Sequence, residues 1–305
     1  MRPKQHKVEK PKETRFKVAE EAELLNFLIA KMGGMSRNAA KSLLGHRQVM
    51  VNDKITTQFN LVLKPNDRVV VNSLRGNIEL NHPKLKIIFE DQYLIVVEKK
   101  EGLLTVSTGN SDETTAFSIL KYYVKKSATY NRIFVVHRID RETSGILVFA
   151  KTREIQLAMQ EHWHEVVTQR VYVALVEGQV EKEEGTIVSW LSENEKSLKI
   201  HSSEVDNGGQ QAITHYKRVK SNEKYSLLQV ELETGRKNQI RVHMQGLGHP
   251  IVGDKKYGSQ NAVIGRMGLH ARVLAFIHPM TLEEVKFETA VPRNFLNLFH
   301  STKVD

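Results

Sequence analysis

Apolar residues recur with a helical period in two short stretches near the N-terminus. The first covers residues 20–32 and ends before a Gly-Gly pair, and the second begins at Ser36, which can cap a helix, and stops at Gly45. Two apolar runs with turn residues between them predict strands over Val49–Val51 and residues 68–71. The pattern therefore predicts a small module of two helices and hairpin strands.

After residue 85 the pattern changes to short apolar runs separated by turn residues, which is typical of strands. The predicted strands cover residues 86–90, 94–98, 133–136, 146–151, 170–176, 214–219, 225–233 and 285–288. Helical patterns are fewer: one covers residues 111–125, and another begins at Thr152 with an apolar face that continues to Val166. Because strands outnumber crossover helices, we expect an α+β fold with a largely antiparallel mixed sheet.

Changes in composition divide the chain into four segments. Residues 1–17 are rich in Lys and lack apolar periodicity, which predicts a basic flexible arm. The small module follows over residues 18–75, a polar linker with Gly and Pro over residues 76–84, and the larger domain over residues 85–302.

Charge is concentrated in the first part of the chain. The net charge is +10, and residues 1–84 hold 16 Lys and Arg against 8 Asp and Glu, which is +8 of that total. A basic segment beside a nearly neutral body is typical of a polyanion-binding appendage, and nucleic acid is the leading candidate. A solubilising tail is the alternative.

Several classes of protein are excluded by composition. The 305 residues contain no Cys, so disulfides, thiolate zinc sites and a Cys nucleophile are ruled out. No apolar stretch approaches the ~20 residues of a membrane helix, and the N-terminus lacks the apolar core of a secretory signal. Glycine-rich phosphate-binding patterns and the H-E-x-x-H zinc pattern are also missing from the sequence. We expect a cytoplasmic protein without membrane contact, nucleotide cofactor or metal.

The sharpest local feature is an Asp in a polar turn between two apolar strands. Asp140 lies between Arg138 and Arg141, and positive neighbours favour the charged form of a carboxylate. The residues alone leave two interpretations open: a site carboxylate held by two rigid strands, or a turn residue with a surface ion pair.

A second feature is the donor-rich segment 234–243, which follows the predicted strand 225–233. It contains Arg236, Lys237, Gln239, Arg241 and His243, side chains that suit phosphate, carboxylate or base edges.

Together these segments resemble the RluA family of RNA pseudouridine synthases over residues 85–300. The matching motifs are His137-Arg138-Ile139-Asp140 with Thr143-Ser144-Gly145, Tyr172-Val173-Ala174-Leu175-Val176, Thr234-Gly235-Arg236 with Gln239-Ile240-Arg241-Val242-His243, Gly253-Asp254 with Tyr257-Gly258, and Leu269-His270-Ala271. Two positions depart from the family pattern: Asn238 stands where His is common, and Lys100 stands where Pro is common.

The small module resembles the S4 RNA-binding domain. The matching residues are Phe27-Leu28, Gly33, Ser36-Arg37, Ala40, Val49, Val51-Asn52 and Asn66-Asp67-Arg68-Val69-Val70-Val71. This resemblance implies RNA contacts on the basic face that carries Arg37, Lys41 and Arg47.

The family resemblance implies an isomerase with the pseudouridine synthase fold that converts uridine in RNA to pseudouridine without a cofactor. It implies that Asp140 is the catalytic carboxylate, that Arg241 supports its charge, and that Tyr172 lies against the uracil ring. Arg138 is the expected wedge that fills the gap left by a flipped uridine. The remaining substrate contacts are expected from Arg236, Gln239 and His243.

The resemblance also implies the partner. RNA is expected as substrate, with large-subunit ribosomal RNA as the target and transfer RNA as the alternative, and the enzyme is expected to be a monomer. Two other functions stay open at this point: a non-catalytic RNA-binding or ribosome-associated factor, and a glycosidic hydrolase that pairs Asp140 with Glu142 or Asp254.

Overall fold

A computed structural model of the chain describes residues 13–45, 48–72, 80–107, 113–127 and 131–299. The described residues divide into two compact units. One lies within Met1–Glu79 and Tyr122–Asn131, and the other within Leu80–Lys121 and Arg132–Asp305. The division between residues 79 and 80 falls in the segment that the sequence predicts as a linker, of which residues 76–79 are outside the described ranges.

The N-terminal unit contains the two predicted helices and several short strands. In chain order its elements are β1 (Glu13–Lys17), β2 (Ala22–Glu23), α1 (Leu24–Lys31), α2 (Arg37–Gly45), β3 (Val49–Val51), β4 (Lys54–Ile55), β5 (Val62–Leu63) and β6 (Arg68–Asn72). Among the described residues, four strands form a sheet in the order β1-β6-β3-β4, and β2 pairs with β5. Apolar side chains of both helices close the core over this sheet, including Leu25, Leu28, Ala40 and Leu44.

The flexible arm predicted over residues 1–17 is too long. Residues 13–17 form β1, which pairs antiparallel with all of β6, from Glu13 opposite Asn72 to Lys17 opposite Arg68. Residues 1–12 lie outside the described ranges. The sequence did not predict this strand because its side chains are mostly exposed and show no apolar face. Backbone hydrogen bonds to β6 hold it in the sheet.

The larger unit is dominated by one sheet. Its elements are β7 (Leu85–Glu90), β8 (Leu94–Lys99), α3 (Ala116–Ser127), β9 (Phe134–Val135), β10 (Ser144–Ala150), α4 (Arg153–Glu161), α5 (Trp163–Val166), β11 (Val167–Glu177), β12 (Glu184–Glu193), β13 (Ile200–Ser203), β14 (Gln210–Ser221), β15 (Tyr225–Leu232), α6 (Gln239–Gly246), β16 (Leu269–Ile277), β17 (Glu284–Glu288) and α7 (Arg293–Leu296). The second half of α3 is grouped with the N-terminal unit. Short 3-10 turns cover Lys255–Tyr257 and Asn297–Phe299.

The sheet confirms the predicted α+β class with a largely antiparallel mixed sheet. Its strands run in the order β13-β12-β14-β15-β11-β16-β10-β8-β7, with β17 paired to β16 and β9 paired to β10. Among the described strands, β10 and β16 form the parallel pair, and the other pairs are antiparallel. Along the described residues, no helix is both long and apolar enough to cross a membrane.

The two strands of the parallel pair are largely buried, and their backbones approach closely at Gly145. All seven residues of β10 are buried, and Gly145 has φ 117° with no space for a side chain, since a Cβ there would lie 2.1 Å from the Ala271 carbonyl oxygen. Next to it, the buried ring of His270 bridges the hydroxyls of Ser144 at 2.7 Å and Thr289 at 2.9 Å. Burial lowers the pKa of His270 to about 4, so the ring stays neutral and serves as a structural bridge.

Candidate active site

The loop that carries Asp140 joins β9 to β10 and is fixed on both sides of that residue. On one side, the Thr105 hydroxyl donates to the Ile139 carbonyl at 2.8 Å and accepts from the Ile139 N–H at 3.3 Å. On the other side, the Arg141 carbonyl accepts a hydrogen bond from the Gly102 N–H at 2.9 Å. These bonds limit how far the Asp140 backbone can move.

A buried lysine anchors the same loop from below. Lys99 ends β8, and its side chain is fully buried. Its ammonium group donates to the carbonyls of Leu103 at 2.7 Å, Arg141 at 3.0 Å and Lys100 at 3.1 Å. All three N–H donors are therefore used, as a buried ammonium requires. Burial lowers the pKa of Lys99 to about 7.

Arg241 connects the loop to the first turn of α6. Its Nη1 donates to the Asp140 carboxylate at 3.0 Å, and its Nε and Nη2 form a two-point pair with Asp254 at 2.6 and 2.8 Å. Burial by itself would lower the pKa of Arg241, but the bonds to Asp254 and the charges of Asp254 and Asp140 outweigh it and raise that pKa. The guanidinium is thus a permanent cation beside Asp140.

The two carboxylates differ in exposure. The side chain of Asp254 is 1% exposed, whereas that of Asp140 is 34% exposed. Both carboxylate oxygens of Asp254 accept hydrogen bonds from Arg241, and Oδ1 also accepts one from the Tyr257 N–H at 3.3 Å. Asp140 is therefore the carboxylate that can meet a ligand, and Asp254 holds the arginine that supports it.

Two further residues fix the arginine. Asn238 precedes α6 with a left-handed φ of 55°, a conformation that Asn tolerates well, and its Oδ1 accepts from Arg241 Nη1 at 2.9 Å. Its amide nitrogen donates to the Tyr257 hydroxyl at 3.0 Å. The buried Tyr257 ring lies 4.9 Å from the Arg241 guanidinium carbon, a cation–π contact.

A cleft opens beside these groups. Tyr172, half-buried on β11, lines it together with Asp140 and Arg241, and apolar side chains complete the wall: Ile139, Leu232, Ile240 and Leu269. Burial, helped by the negative charge of Asp140 and opposed by Arg170, raises the pKa of Tyr172, so its hydroxyl is a neutral donor. The cleft thus combines a fixed carboxylate, a cation and an aromatic wall, which suits a flat polar ring attached to a sugar.

The two outer arginines of the prediction also line the cleft. Arg138 is exposed and, within the described ranges, makes no hydrogen bond or ion pair. Arg236 is half-buried, and its Nε donates to the Gln211 carbonyl at 3.0 Å. Arg138 is therefore available to a ligand, whereas Arg236 already uses one of its donors in a hydrogen bond to the N-terminal end of β14.

Gln239 and His243 have structural positions instead of the predicted substrate contacts. Gln239 lines the cleft but is 2% exposed, and its amide oxygen and nitrogen bond to Thr234, Arg236, Ile213 and Thr214. Both ring nitrogens of His243 are bonded, to Ser189 and Thr214 hydroxyls at 2.9 and 2.8 Å, and burial lowers its pKa to about 4. From sequence alone, a Gln or His that makes internal hydrogen bonds cannot be distinguished from one that binds a substrate, because both are polar side chains in the same segment. We assign both to the attachment of α6 to the sheet.

Two of the three residues predicted to contact RNA in the N-terminal unit lie on α2. Arg37 and Lys41 are exposed on that helix, and Lys41 Nζ lies 5.1 Å from the centre of the Phe59 ring. Arg47 lies outside the described residues.

The sequence interpretation missed the supporting roles of four site residues: Lys99, Asn238, Asp254 and Tyr257. A signal existed for two of them, because the segment Gly253-Asp254 with Tyr257-Gly258 is one of the matched motifs. The other two stand where the chain departs from the family pattern or next to such a departure, at Asn238 and Lys99-Lys100.

Comparison with known proteins bears on this geometry. The sequence model of the RNA pseudouridylate synthase family matches residues 93–246, which include Asp140, Tyr172 and Arg241. An uncharacterized RNA pseudouridine synthase of Bacillus subtilis (strain 168) is 32% identical over 270 residues, covering 86% of this chain and 88% of its own length. The ribosomal large subunit pseudouridine synthase D of Zymomonas mobilis is 33% identical over 228 residues, covering 70% of this chain and 72% of its own.

A solved structure supports the fold. The human RNA pseudouridylate synthase domain containing 4 superposes with a TM-score of 0.57 at 24% identity, covering 69% of this chain and 90% of the human one. The architecture around the cleft is therefore one that occurs in solved structures.

Proposed function

The chain belongs to the RNA pseudouridylate synthase family, and from that premise we propose that it modifies large-subunit ribosomal RNA with Asp140 as its catalytic carboxylate. The enzyme is an RNA pseudouridine synthase, an isomerase. In this reaction the N1–C1′ glycosidic bond of uridine breaks, the uracil turns, and C5 bonds to C1′. The proton leaves C5 and N1 ends protonated, so the RNA neither gains nor loses atoms.

One observation carries the assignment of the catalytic group. Arg241 Nη1 lies 3.0 Å from the Asp140 carboxylate in a cleft where that carboxylate is the accessible one. A carboxylate that must act on a sugar at neutral pH needs its negative charge, and a fixed cation in a partly dry site stabilises that charge. Asp140 is the group that meets the sugar, and Arg241 is the cation that holds it in place.

Two neighbouring side chains complete the proposed machinery. Tyr172 stacks against the uracil ring, and its neutral hydroxyl can donate a hydrogen bond to a ring oxygen or exchange a proton. Arg138 occupies the gap left in the RNA stack when the uridine turns out, because its guanidinium is planar, exposed and unpaired within the described ranges.

The geometry disfavours hydrolysis by paired carboxylates. A second carboxylate would have to activate water, but Asp254 is buried with both oxygens bonded to Arg241. The other carboxylate of that alternative, Glu142, is exposed and does not line the cleft. Asp140 therefore acts with a cation partner instead of a second carboxylate, which suits an isomerase.

Large-subunit ribosomal RNA is the proposed target for two reasons. A relative that is 33% identical over 70% of this chain is named a ribosomal large subunit pseudouridine synthase. The S4-like unit, with exposed Arg37 and Lys41 on α2, suits an anchor for structured RNA. Transfer RNA is the second candidate.

The test of function uses RNA transcribed in vitro, which carries no modification. Large-subunit ribosomal RNA and a set of transfer RNAs are incubated with the enzyme and then labelled with a reagent that marks pseudouridine but not uridine. We expect no change in the mass of the ribosomal RNA after incubation with the enzyme, and label in that RNA after treatment with the reagent. Label in transfer RNA alone would overturn the proposed target, and release of free uracil would overturn the isomerase assignment.

The proposed role of Arg138 has its own test. Arg138→Ala is compared with wild type on a uridine embedded in a stem and on the same uridine in an unstructured strand. We expect a loss of at least tenfold in kcat/KM on the stem and a much smaller loss on the strand, because flipping costs energy only in the stem. Equal losses on both substrates would exclude a wedge.

A further inference from the structure

Three cations lie over one buried aromatic ring that is in contact with Arg241, a residue of the cleft wall. The ring of Tyr257 lies 4.9 Å from the Arg241 guanidinium carbon, 5.4 Å from Lys199 Nζ and 5.9 Å from Lys256 Nζ. Arg241 faces the cleft and belongs to the site already described. The mechanism does not use the two lysines.

The lysine side chains are held in place rather than free in solvent. Lys256 belongs to the 3-10 turn Lys255–Tyr257, and its ammonium donates to the Leu198 carbonyl at 2.8 Å. Lys199 is half-buried and directly precedes β13. Contact with the ring restrains both ammonium groups while Lys256 keeps two further N–H donors for a ligand. Cations that are already positioned bind a ligand at a smaller entropic cost.

Local carboxylates do not neutralise this cluster. Asp254 is taken by Arg241, and Glu193 is paired with Lys237. Glu195 is exposed in the turn before Lys199. Lys199 and Lys256 lie over the ring, and Arg236 lines the cleft. Lys196 is an exposed neighbour of Glu195 in the same turn, and Lys255 precedes Lys256 in the 3-10 turn. In these two turns the lysines therefore outnumber the carboxylates.

We propose that Lys199 and Lys256 form a phosphate-binding lip of the active site, which contacts RNA backbone phosphates next to the target uridine. The proposal rests on the proposed function in taking the cleft at Asp140 as the uridine site. When a uridine turns into the cleft its backbone stays at the mouth, and a lysine is a point charge suited to a phosphate there.

The distances limit which phosphates are in reach. Because the three contacts share one ring centre, both ammonium groups lie within about 11 Å of the Arg241 guanidinium carbon. One strand of a duplex has one phosphate per ~3.4 Å of helix axis, so this span corresponds to at most about three nucleotides. The lip therefore contacts phosphates in the immediate surroundings of the target and not a distant part of the RNA.

The first experiment measures the salt dependence of binding to a single-stranded oligouridine in the full-length protein. We expect Lys199→Gln with Lys256→Gln to flatten the log–log slope by about 1.4, since each lost phosphate contact on a single strand removes about 0.7. Lys199→Arg with Lys256→Arg keeps the charge and should restore the slope, which separates charge from folding.

The matched control neutralises two exposed lysines of the same unit. Lys217 and Lys220 lie on β14, six to nine residues beyond the strand end at Gln211 that meets Arg236, a separation of about 20–30 Å. Lys217→Gln with Lys220→Gln should change the slope by less than half as much. Equal slopes for both pairs, or no affinity of wild type for oligouridine at low salt, would overturn the proposal.

A second experiment locates the contact. A short RNA is made that contains a single target uridine, which the enzyme converts. The phosphates on both sides of that uridine are replaced by neutral methylphosphonate links. We expect these links to lower kcat/KM of wild type about tenfold and of the lysine double variant much less. The same loss in both proteins would place the lysine contacts elsewhere and overturn the lip. Failure to convert ribosomal RNA would instead count against the proposed target, because the salt series does not depend on it.

Discussion

Arg241 lies between two carboxylates whose environments give them different tasks. Asp254 is closed off from solvent and makes two bonds to the guanidinium, so its contribution is to hold a partly buried cation in one orientation. Asp140 makes one bond to the same group and faces the cleft. Replacement of each carboxylate by its amide should therefore affect different properties.

Asp140→Asn should abolish turnover while changing the free energy of unfolding by less than about 1 kcal/mol, because a half-open ion pair contributes little to stability. RNA affinity should stay within a few-fold. Asp254→Asn should cost about 3 kcal/mol of stability, since it leaves a buried guanidinium without its anion. Denaturant unfolding and single-turnover conversion measure the two effects. Substantial turnover by Asp140→Asn would contradict the assignment of the catalytic residue.

Lys99 predicts a pH dependence of stability. Its pKa is about 7 in the folded protein and near 10.5 in an unfolded chain, so between these values the unfolded state binds more protons. Stability then rises with pH across that window. Wild type should therefore gain stability relative to Lys99→Met between pH 7 and about 10, and the two should run parallel below pH 6. Urea unfolding across this range measures the difference, and parallel curves throughout would mean that the amine is not desolvated.

At the scale of elements, the sequence predicted strands whose buried positions are mostly apolar. The strands β8, β10, β11 and β15 were found because most of their buried side chains are apolar. Boundaries were less accurate, and the helix predicted over residues 111–125 is described over Ala116–Ser127.

The helix α6 was missed for a physical reason. Its inward face includes the polar residues Gln239 and His243, which are satisfied by hydrogen bonds from β12 and β14 rather than by apolar contact. Those partners are distant in sequence, so no local apolar period marks the helix. The same limit hid the joint role of Asp140, Arg241 and Asp254, because the resemblance named the motifs but only the fold brings them onto one guanidinium.

The close approach of β10 to β16 gives a prediction for Gly145. Gly145→Ala should cost more than about 2 kcal/mol, because the added Cβ meets the Ala271 carbonyl oxygen and the φ of 117° disfavours any side chain. Gly246→Ala is the control: it ends α6, has no heavy atom within 4 Å of the new Cβ, and should be neutral or slightly stabilising. Thermal unfolding compares the two, and similar melting temperatures would mean that the parallel pair can relax.

For the whole molecule, the proposed catalytic residues and much of the charge lie in different units. Asp140, Tyr172 and Arg241 all lie in the larger unit, whereas residues 1–79 hold 15 Lys and Arg against 8 Asp and Glu, which is +7 of the net charge of +10. If the N-terminal unit acts as an electrostatic anchor, affinity for structured RNA and the rate of the chemical step can be changed independently.

The last prediction neutralises two exposed cations of α2 in the full-length chain, Arg37→Gln with Lys41→Gln. The log–log salt slope for large-subunit ribosomal RNA should flatten by about 1.4 to 1.8, since each phosphate contact contributes about 0.7 on single strands and 0.9 on a duplex. The single-turnover rate at saturating RNA should be unchanged, because neither residue lies in the cleft. The control is Lys31→Gln with Lys54→Gln, which removes two exposed charges of the same unit that belong to α1 and β4 and should leave the slope nearly as it is. If both double variants flatten the salt slope equally, the unit attracts RNA through its overall charge. If neither variant flattens it, the basic residues of the unit do not anchor RNA and contribute to solubility instead.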